Sequence, residues 1–134
     1  GSQCMVLSIE AKYTGSRWEA YFDNGREHSN LNVVTWAKEA ESRGAGEIVL
    51  TSVDREGTGK GFDVDLVKAV TDVVNIPVIA SGGMGRLVDI NEVVLNANAD
   101  GIAMAQALHY GHLTVPEVRD YCLGQNISVR KVVL

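Results

Sequence analysis

Residues 77–85 read Pro77-Val78-Ile79-Ala80-Ser81-Gly82-Gly83-Met84-Gly85, a short apolar run followed directly by a glycine-rich turn. Three more short and nearly continuous apolar runs occur at 5–9, 47–50 and 101–104. Runs of this length, rich in branched side chains, predict β-strands that are covered on both faces. The stretch 77–85 therefore predicts a buried strand that ends in a tight turn.

The segments between these runs carry apolar side chains at the spacing of a helix face. Thr114-x-x-Glu117 is a capping box and predicts the start of the last of these helices. Strand and helix thus alternate four times, with a period of about 30 residues, which predicts a parallel sheet with right-handed crossovers. The apolar stripes are Val33, Trp36, Ala37 and Ala40; Val67, Val70 and Val74; Leu87, Ile90, Val94 and Ala97; and Val118, Tyr121 and Cys122.

The connection after the first strand is longer than the others. Residues 13–23 alternate weakly in hydropathy, and Asp23-Asn24-Gly25 is a turn signal. This pattern predicts a β-hairpin inserted before the first helix. That helix is expected to end at Arg43-Gly44, with Gly44 in the left-handed conformation.

Composition fits one domain and excludes several classes of protein. The chain has 134 residues, is 46% hydrophobic and carries a net charge of −5, so we expect a single domain over 3–134, with Gly1 and Ser2 as a cloning remnant. The acidic balance disfavours binding to nucleic acids or to membrane surfaces. Because no apolar run approaches the ~18 residues of a membrane span and no signal segment opens the chain, a cytoplasmic protein is expected. Cys4 and Cys122 have neither disulfide-framework nor zinc spacing, and no metal or cofactor is predicted.

Polar and glycine-rich segments follow the predicted strands at their carboxyl ends, where parallel βα architectures place catalytic residues. Glu10 ends the first strand, and an ion pair with Lys12 is the alternative explanation for an acid there. The glycines of 81–85 allow backbone N–H groups to face an anion at a helix start, or serve only a tight turn. Residues 54–59 form either a mobile loop that covers a ligand or a solvated turn.

Four motifs in order resemble the C-terminal half of the cyclase subunit of imidazole glycerol phosphate synthase, an enzyme of histidine biosynthesis. They are GAGEIVLTS at 44–52, DREGTGKG at 54–61, IASGG at 79–83 and AMAQALHY at 103–110. The resemblance spans nearly the whole chain. It implies an α/β fold, namely a (βα)4 half of a TIM barrel with a β-hairpin inserted after its first strand.

The resemblance also implies site residues, position by position. Glu10 stands where the family has its general acid, an Asp, and the longer side chain shifts the carboxyl by roughly an ångström, which can cost ~100-fold in rate. Glu56 likewise replaces an Asp, and Gln106 replaces a Ser. The implied catalytic set is Glu10, Lys12 and Asp54, and the implied substrate- and phosphate-binding set is Thr51, Glu56, Gly57, Ser81, Gly82, Gly83 and Gln106.

Half a barrel leaves two open sheet edges and an apolar inner face, so we expect a homodimer or a higher homo-oligomer. The family's second catalytic Asp and second phosphate site lie in the half that the resemblance does not cover. We therefore expect binding of a phosphorylated small molecule or inorganic phosphate, with weak or no cyclase activity. The alternatives are an active cyclase or lyase, to which a glutaminase subunit could supply ammonia; a non-catalytic module that completes a partner barrel; or an excised half of a longer enzyme.

Overall fold

The computed structural model contains one sheet, and it describes residues 5–22, 27–104, 113–125, 127 and 131–133. Its strands are β1 (Val6–Tyr13), β2 (Trp18–Phe22), β3 (Glu27–Asn32), β4 (Glu47–Ser52), β5 (Val78–Ser81), β6 (Gly101–Ala103) and β7 (Lys131–Val133). They lie in the order β3-β2-β1-β4-β5-β6-β7. Strands β1, β4, β5, β6 and β7 are parallel, and β2 and β3 pair antiparallel. The predicted α/β class is confirmed, and the sheet is an open half of a TIM barrel.

The predicted hairpin is present as β2 and β3, while its predicted turn at Asp23-Asn24-Gly25 lies outside the described residues. Strand β1 runs to Tyr13, past the predicted end at Ile9, because its last four residues pair with β2. Strand β7 was not predicted from the sequence. It pairs in parallel with β6 and adds a strand at that edge of the sheet.

Helices follow the predicted stripes. They are α1 (Val33–Ser42), α2 (Val64–Thr71), α3 (Val88–Asn91) and α4 (Val115–Gly124). The side chain of Asn32 caps α1 by accepting from the backbone N–H groups of Val34 and Thr35. The predicted cap of α4 is confirmed, since the Thr114 hydroxyl accepts from the N–H of Glu117. Gly44 follows α1 with φ +104°, as its position predicted.

The third stripe does not form one continuous α-helix. A π-helical turn, Glu92–Asn96, continues α3. Val93, within this turn, is fully buried, and Val94 is partly buried and packs against the core. The predicted core-facing position of Val94 is therefore confirmed in part, and Val93 is an additional core residue.

The core lies on one face of the sheet, beneath the helices. Ile48, Leu50, Val78 and Ile102 are fully buried there. On the opposite face, the side chains of β1 and β4 are exposed or half-buried, whereas Ile79 of β5 is buried. The expectation of strands covered on both faces is therefore wrong for β1 and β4 within the described residues. That inner face is also less apolar than expected, because polar side chains alternate with the core positions. Its members on β1, β4 and β5 are Val6, Ser8, Glu10, Lys12, Glu47, Val49, Thr51, Ile79 and Ser81.

The sheet has two open edges, as expected, but within the described residues they are formed by β3 and β7 and not by the four predicted parallel strands. Strand β2 covers β1 from Glu10 to Tyr13, and β7 covers β6. Between Val6 and Ile9, β4 is the sole strand partner of β1 among the described residues. Met5 and Val6 beside this gap are 54% and 53% exposed. None of the described helices has the length and hydropathy to span a membrane.

Candidate functional site

A row of side chains crosses the sheet near the carboxyl ends of its parallel strands. Glu10 of β1 is the register partner of Thr51 of β4, and Thr51 is the partner of Ser81 of β5. Residues in register on parallel strands point to the same face. A cleft of about 380 Å³ opens over this row and is lined by Glu10, Thr51, Val53, Glu56 and Ser81. Four of the predicted site residues therefore meet in one place.

Glu10 has an unusual environment within this cleft. Its Oε2 atom is buried and has no hydrogen-bond partner among the described residues. The alternative ion pair with Lys12 is not formed; the Lys12 ammonium instead lies 5.5 Å from the centroid of the Tyr21 ring. Buried carboxylate oxygens are normally hydrogen-bonded. The free oxygen of Glu10 is therefore suited to a donor group of a ligand.

The glycine-rich turn after β5 borders the cleft. Gly82 and Gly83 have φ +92° and +108°, a region that favours glycine. A Cβ on Gly82 would lie 2.7 Å from the carbonyl oxygen of Ser52 and 3.0 Å from Oε2 of Glu56. A Cβ on Gly83 would overlap the carbonyl oxygen of Gly61. The two glycines thus allow the loops after β4 and β5 to approach each other closely.

Asp89 of α3 holds the same turn by hydrogen bonds, and the sequence analysis did not identify it. Its side chain is 2% exposed, and its Oδ2 accepts from the N–H groups of Gly85 and Arg86, each at 2.9 Å. These two N–H groups are therefore not available to an anion. The signal in the sequence was an acidic residue in the first turn after a glycine loop, where it complements free N–H groups.

Asp54 and Lys12 do not line the Glu10 cleft. The Asp54 carboxylate accepts from the backbone N–H of Tyr13 at 2.8 Å and so ties the β4 loop to the end of β1. Asp54 belongs to a second cleft of about 480 Å³, next to the paired rings of Tyr13 and Trp18. The lining of this second cleft is Tyr13, Trp18, Asp54, Arg55, Asp63 and Asp65.

The loop after β4 is a hydrogen-bonded turn. The N–H of Glu56 donates to the carbonyl oxygen of Ser52, and the N–H of Thr58 donates to that of Arg55. Gly57 lies exposed at the tip with φ +79°. These hydrogen bonds and the exposure of residues 56–60 are compatible with the solvated turn, one of the two interpretations offered by the sequence. Gln106, the remaining predicted site residue, lies outside the described residues.

Comparison with known proteins identifies the family of this chain. A family model described as "Histidine biosynthesis protein" matches residues 1–114. The chain belongs to the histidine biosynthesis family. Imidazole glycerol phosphate synthase subunit HisF of Clostridium beijerinckii is 48% identical over 132 residues, which cover 97% of this chain and 52% of that protein. The chain thus spans about half the length of this curated relative, and the resemblance found in the sequence is confirmed.

Metal-binding clusters and free thiols are the remaining candidates for reactive groups in this member of the histidine biosynthesis family. No group of three or more His, Cys, Asp or Glu suited to a metal ion occurs in the part of the chain that the structure describes. Cys122 is a free, buried thiol of α4, and burial raises its pKa above the ordinary value. The expected role of Cys122 as a buried small side chain is confirmed, whereas Cys4 lies outside the described residues.

Proposed function

We propose that this chain is a cyclase-like half-barrel module of histidine biosynthesis that binds a phosphorylated small molecule or inorganic phosphate. The observation that carries the proposal is the row of Glu10, Thr51 and Ser81 beside the Gly82-Gly83 turn. A free carboxylate and a glycine turn at one sheet edge combine a proton-transfer group with an anion-binding backbone. The family membership supports this assignment.

The phosphate would lie against the turn at Gly82 and Gly83. Backbone N–H groups of residues in such conformations form concave sites for anions. The hydroxyls of Thr51 and Ser81 have no hydrogen-bond partner among the described residues and can donate to phosphate oxygens. Gly57 completes the proposed set from the neighbouring loop. Because Asp89 occupies the N–H groups of Gly85 and Arg86, the anion would lie on the cleft side of the turn.

Glu10 would be the main catalytic residue. The resemblance also implies catalytic roles for Lys12 and Asp54. A cyclase of this kind needs one group that donates a proton and another that accepts one. This chain offers Glu10 in the cleft, and the resemblance places the family's second catalytic Asp in the half that this chain does not cover. A homodimer would supply a second Glu10, and we expect its cyclase activity to be weak or undetectable.

A second candidate function is completion of a partner half-barrel. The chain covers 52% of its relative, and its inner face is open and carries charged side chains. A complementary half with its own acid would restore an asymmetric pair of groups. In that setting the module contributes the phosphate site and Glu10, and a glutaminase subunit could deliver ammonia.

Titration with inorganic phosphate, followed by backbone NMR, tests the proposal. We expect saturable shifts of the Gly57, Gly82 and Gly83 amides and none at Gly15, a positive-φ glycine outside the clefts. Ser81→Ala should weaken binding, whereas Ser8→Ala, on the same face of β1, should leave it unchanged. Phosphate that leaves all three amides unmoved would refute the proposed site.

A further inference from the structure

The Glu56 carboxylate lies against the turn to which the proposed function assigns a phosphate. A Cβ placed on Gly82 would be 3.0 Å from Oε2 of Glu56. The carboxylate therefore sits in the space directly beside the Gly82 backbone. The backbone of Glu56 is held at this position by its N–H bond to the carbonyl oxygen of Ser52, at 3.0 Å.

The described lining of the cleft is negatively charged, so a carboxylate beside Gly82 would repel an anion. Glu10 and Glu56 are the charged residues of its described lining, and neither Lys nor Arg occurs among those lining residues. The nearby Arg55 directs its guanidinium to the carbonyl oxygens of Gly61 and Phe62. No described cation of the lining therefore offsets the negative charge of Glu56 at the turn.

We propose that Glu56 is a specificity-determining residue that opposes anion binding at Gly82, so that its carboxylate must swing away before a phosphate can bind. This inference rests on the proposed phosphate site. The resemblance implied that Glu56 helps to bind the phosphate, whereas the inference makes its carboxylate an obstacle to binding. Two negative charges a few ångströms apart repel one another, and water around the exposed Glu56 side chain reduces the repulsion to a modest size. The Glu56 side chain is exposed and can change rotamer, so displacement is sterically feasible.

The test compares inorganic phosphate affinity of the wild-type protein with that of Glu56→Gln, Glu56→Ala and Glu92→Gln. Glu56→Gln removes the charge and retains the size, and Glu56→Ala removes both. Glu92 lies exposed in the π turn, and Glu92→Gln changes the net charge equally. We expect both Glu56 variants to bind phosphate about 3- to 10-fold more tightly, with Glu92→Gln unchanged.

The possible outcomes separate this inference from the function on which it rests. Equal affinity in wild type and Glu56→Gln, with shifts of Gly82 and Gly83 in both, would overturn the role of Glu56 and leave the phosphate site intact. Weaker binding by Glu56→Gln would make Glu56 a ligand of the phosphate and overturn the inference as well. Absence of binding in every variant would refute the phosphate site and the inference together.

Discussion

The backbone N–H of Gly61 donates to the carbonyl oxygen of Gly83 at 2.7 Å. Through this bond the loops after β4 and β5 meet main chain to main chain, without intervening side chains. The backbones of Gly85 and Gly59 also lie close together, because a Cβ on Gly85 would overlap the carbonyl oxygen of Gly59. The two loops therefore behave as one rigid unit that borders the Glu10 cleft.

Gly83→Ala should destabilise the protein far more than Gly15→Ala. Both glycines have positive φ, but a Cβ on Gly15 meets no atom within 4 Å, whereas one on Gly83 overlaps Gly61. Strain alone predicts a loss of about 1 kcal/mol at Gly15, and the added overlap predicts about 3 kcal/mol at Gly83. Urea unfolding at one protein concentration measures both, and equal losses would contradict the close approach of the loops.

Asp89→Ala should lower the free energy of unfolding by about 1–3 kcal/mol, because it leaves the partly buried N–H groups of Gly85 and Arg86 without an acceptor. Asp89→Asn should lose roughly half as much, since both N–H groups share one oxygen and an amide oxygen can replace it. Asp65→Ala, in the exposed first turn of α2, is the control and should cost less than about 1 kcal/mol. Thermal or urea unfolding that ranks Asn as low as Ala would argue that the charge of Asp89 matters more than its hydrogen bonds.

Light scattering should give a molar mass of twice the 14.4 kDa chain at micromolar concentration. The gap in strand pairing at Val6–Ile9 and the exposed Val6 side chain leave a surface that a second copy can cover. Val6→Glu should shift the protein to monomer, and Leu123→Glu, at an exposed site on α4, should not. A wild-type monomer across this range would exclude the homodimer.

Glu10→Asp should raise whatever cyclase turnover the protein shows when ammonia is supplied directly, and Glu10→Gln should abolish it. In a symmetric dimer both Glu10 copies have the same environment, so they are not distinguished as acid and base. The shorter Asp would also restore the carboxyl position that the resemblance implies. Glu39→Gln, in the exposed Glu39–Arg43 pair of α1, serves as control. Unchanged turnover in Glu10→Gln would show that this carboxylate takes no part.

Stability should fall as the pH rises through the alkaline range, in part because of Cys122. Burial raises the pKa of this thiol in the folded protein, so the unfolded chain ionises first. The contribution is complete below the unfolded pKa and declines from about pH 8.5 upward. Cys122→Ala should show a shallower decline than wild type in urea unfolding between pH 8 and 10. Parallel pH profiles would place the thiol in a more solvated environment.

Much of the fold could be predicted from local patterns. The stripe that begins at Val33 and the capping box at Thr114 determine their helices through contacts within a few residues. The apolar runs at 47–50 and 77–80 likewise determine β4 and β5. The short strand β7 could not be found this way, because it exists only through its pairing with β6.

Some features of the candidate site could likewise be predicted from the sequence, and others could not. The sequence by itself indicated that Glu10, Thr51 and Ser81 lie near the carboxyl ends of parallel strands, and regular strand geometry then places them in one row. Only the tertiary structure decided that Asp54 bonds to Tyr13, 41 residues away, and faces another cleft. It also decided that Glu56 lies against Gly82. These contacts join segments distant in the chain, and their side-chain positions depend on how the loops pack, which no local pattern encodes.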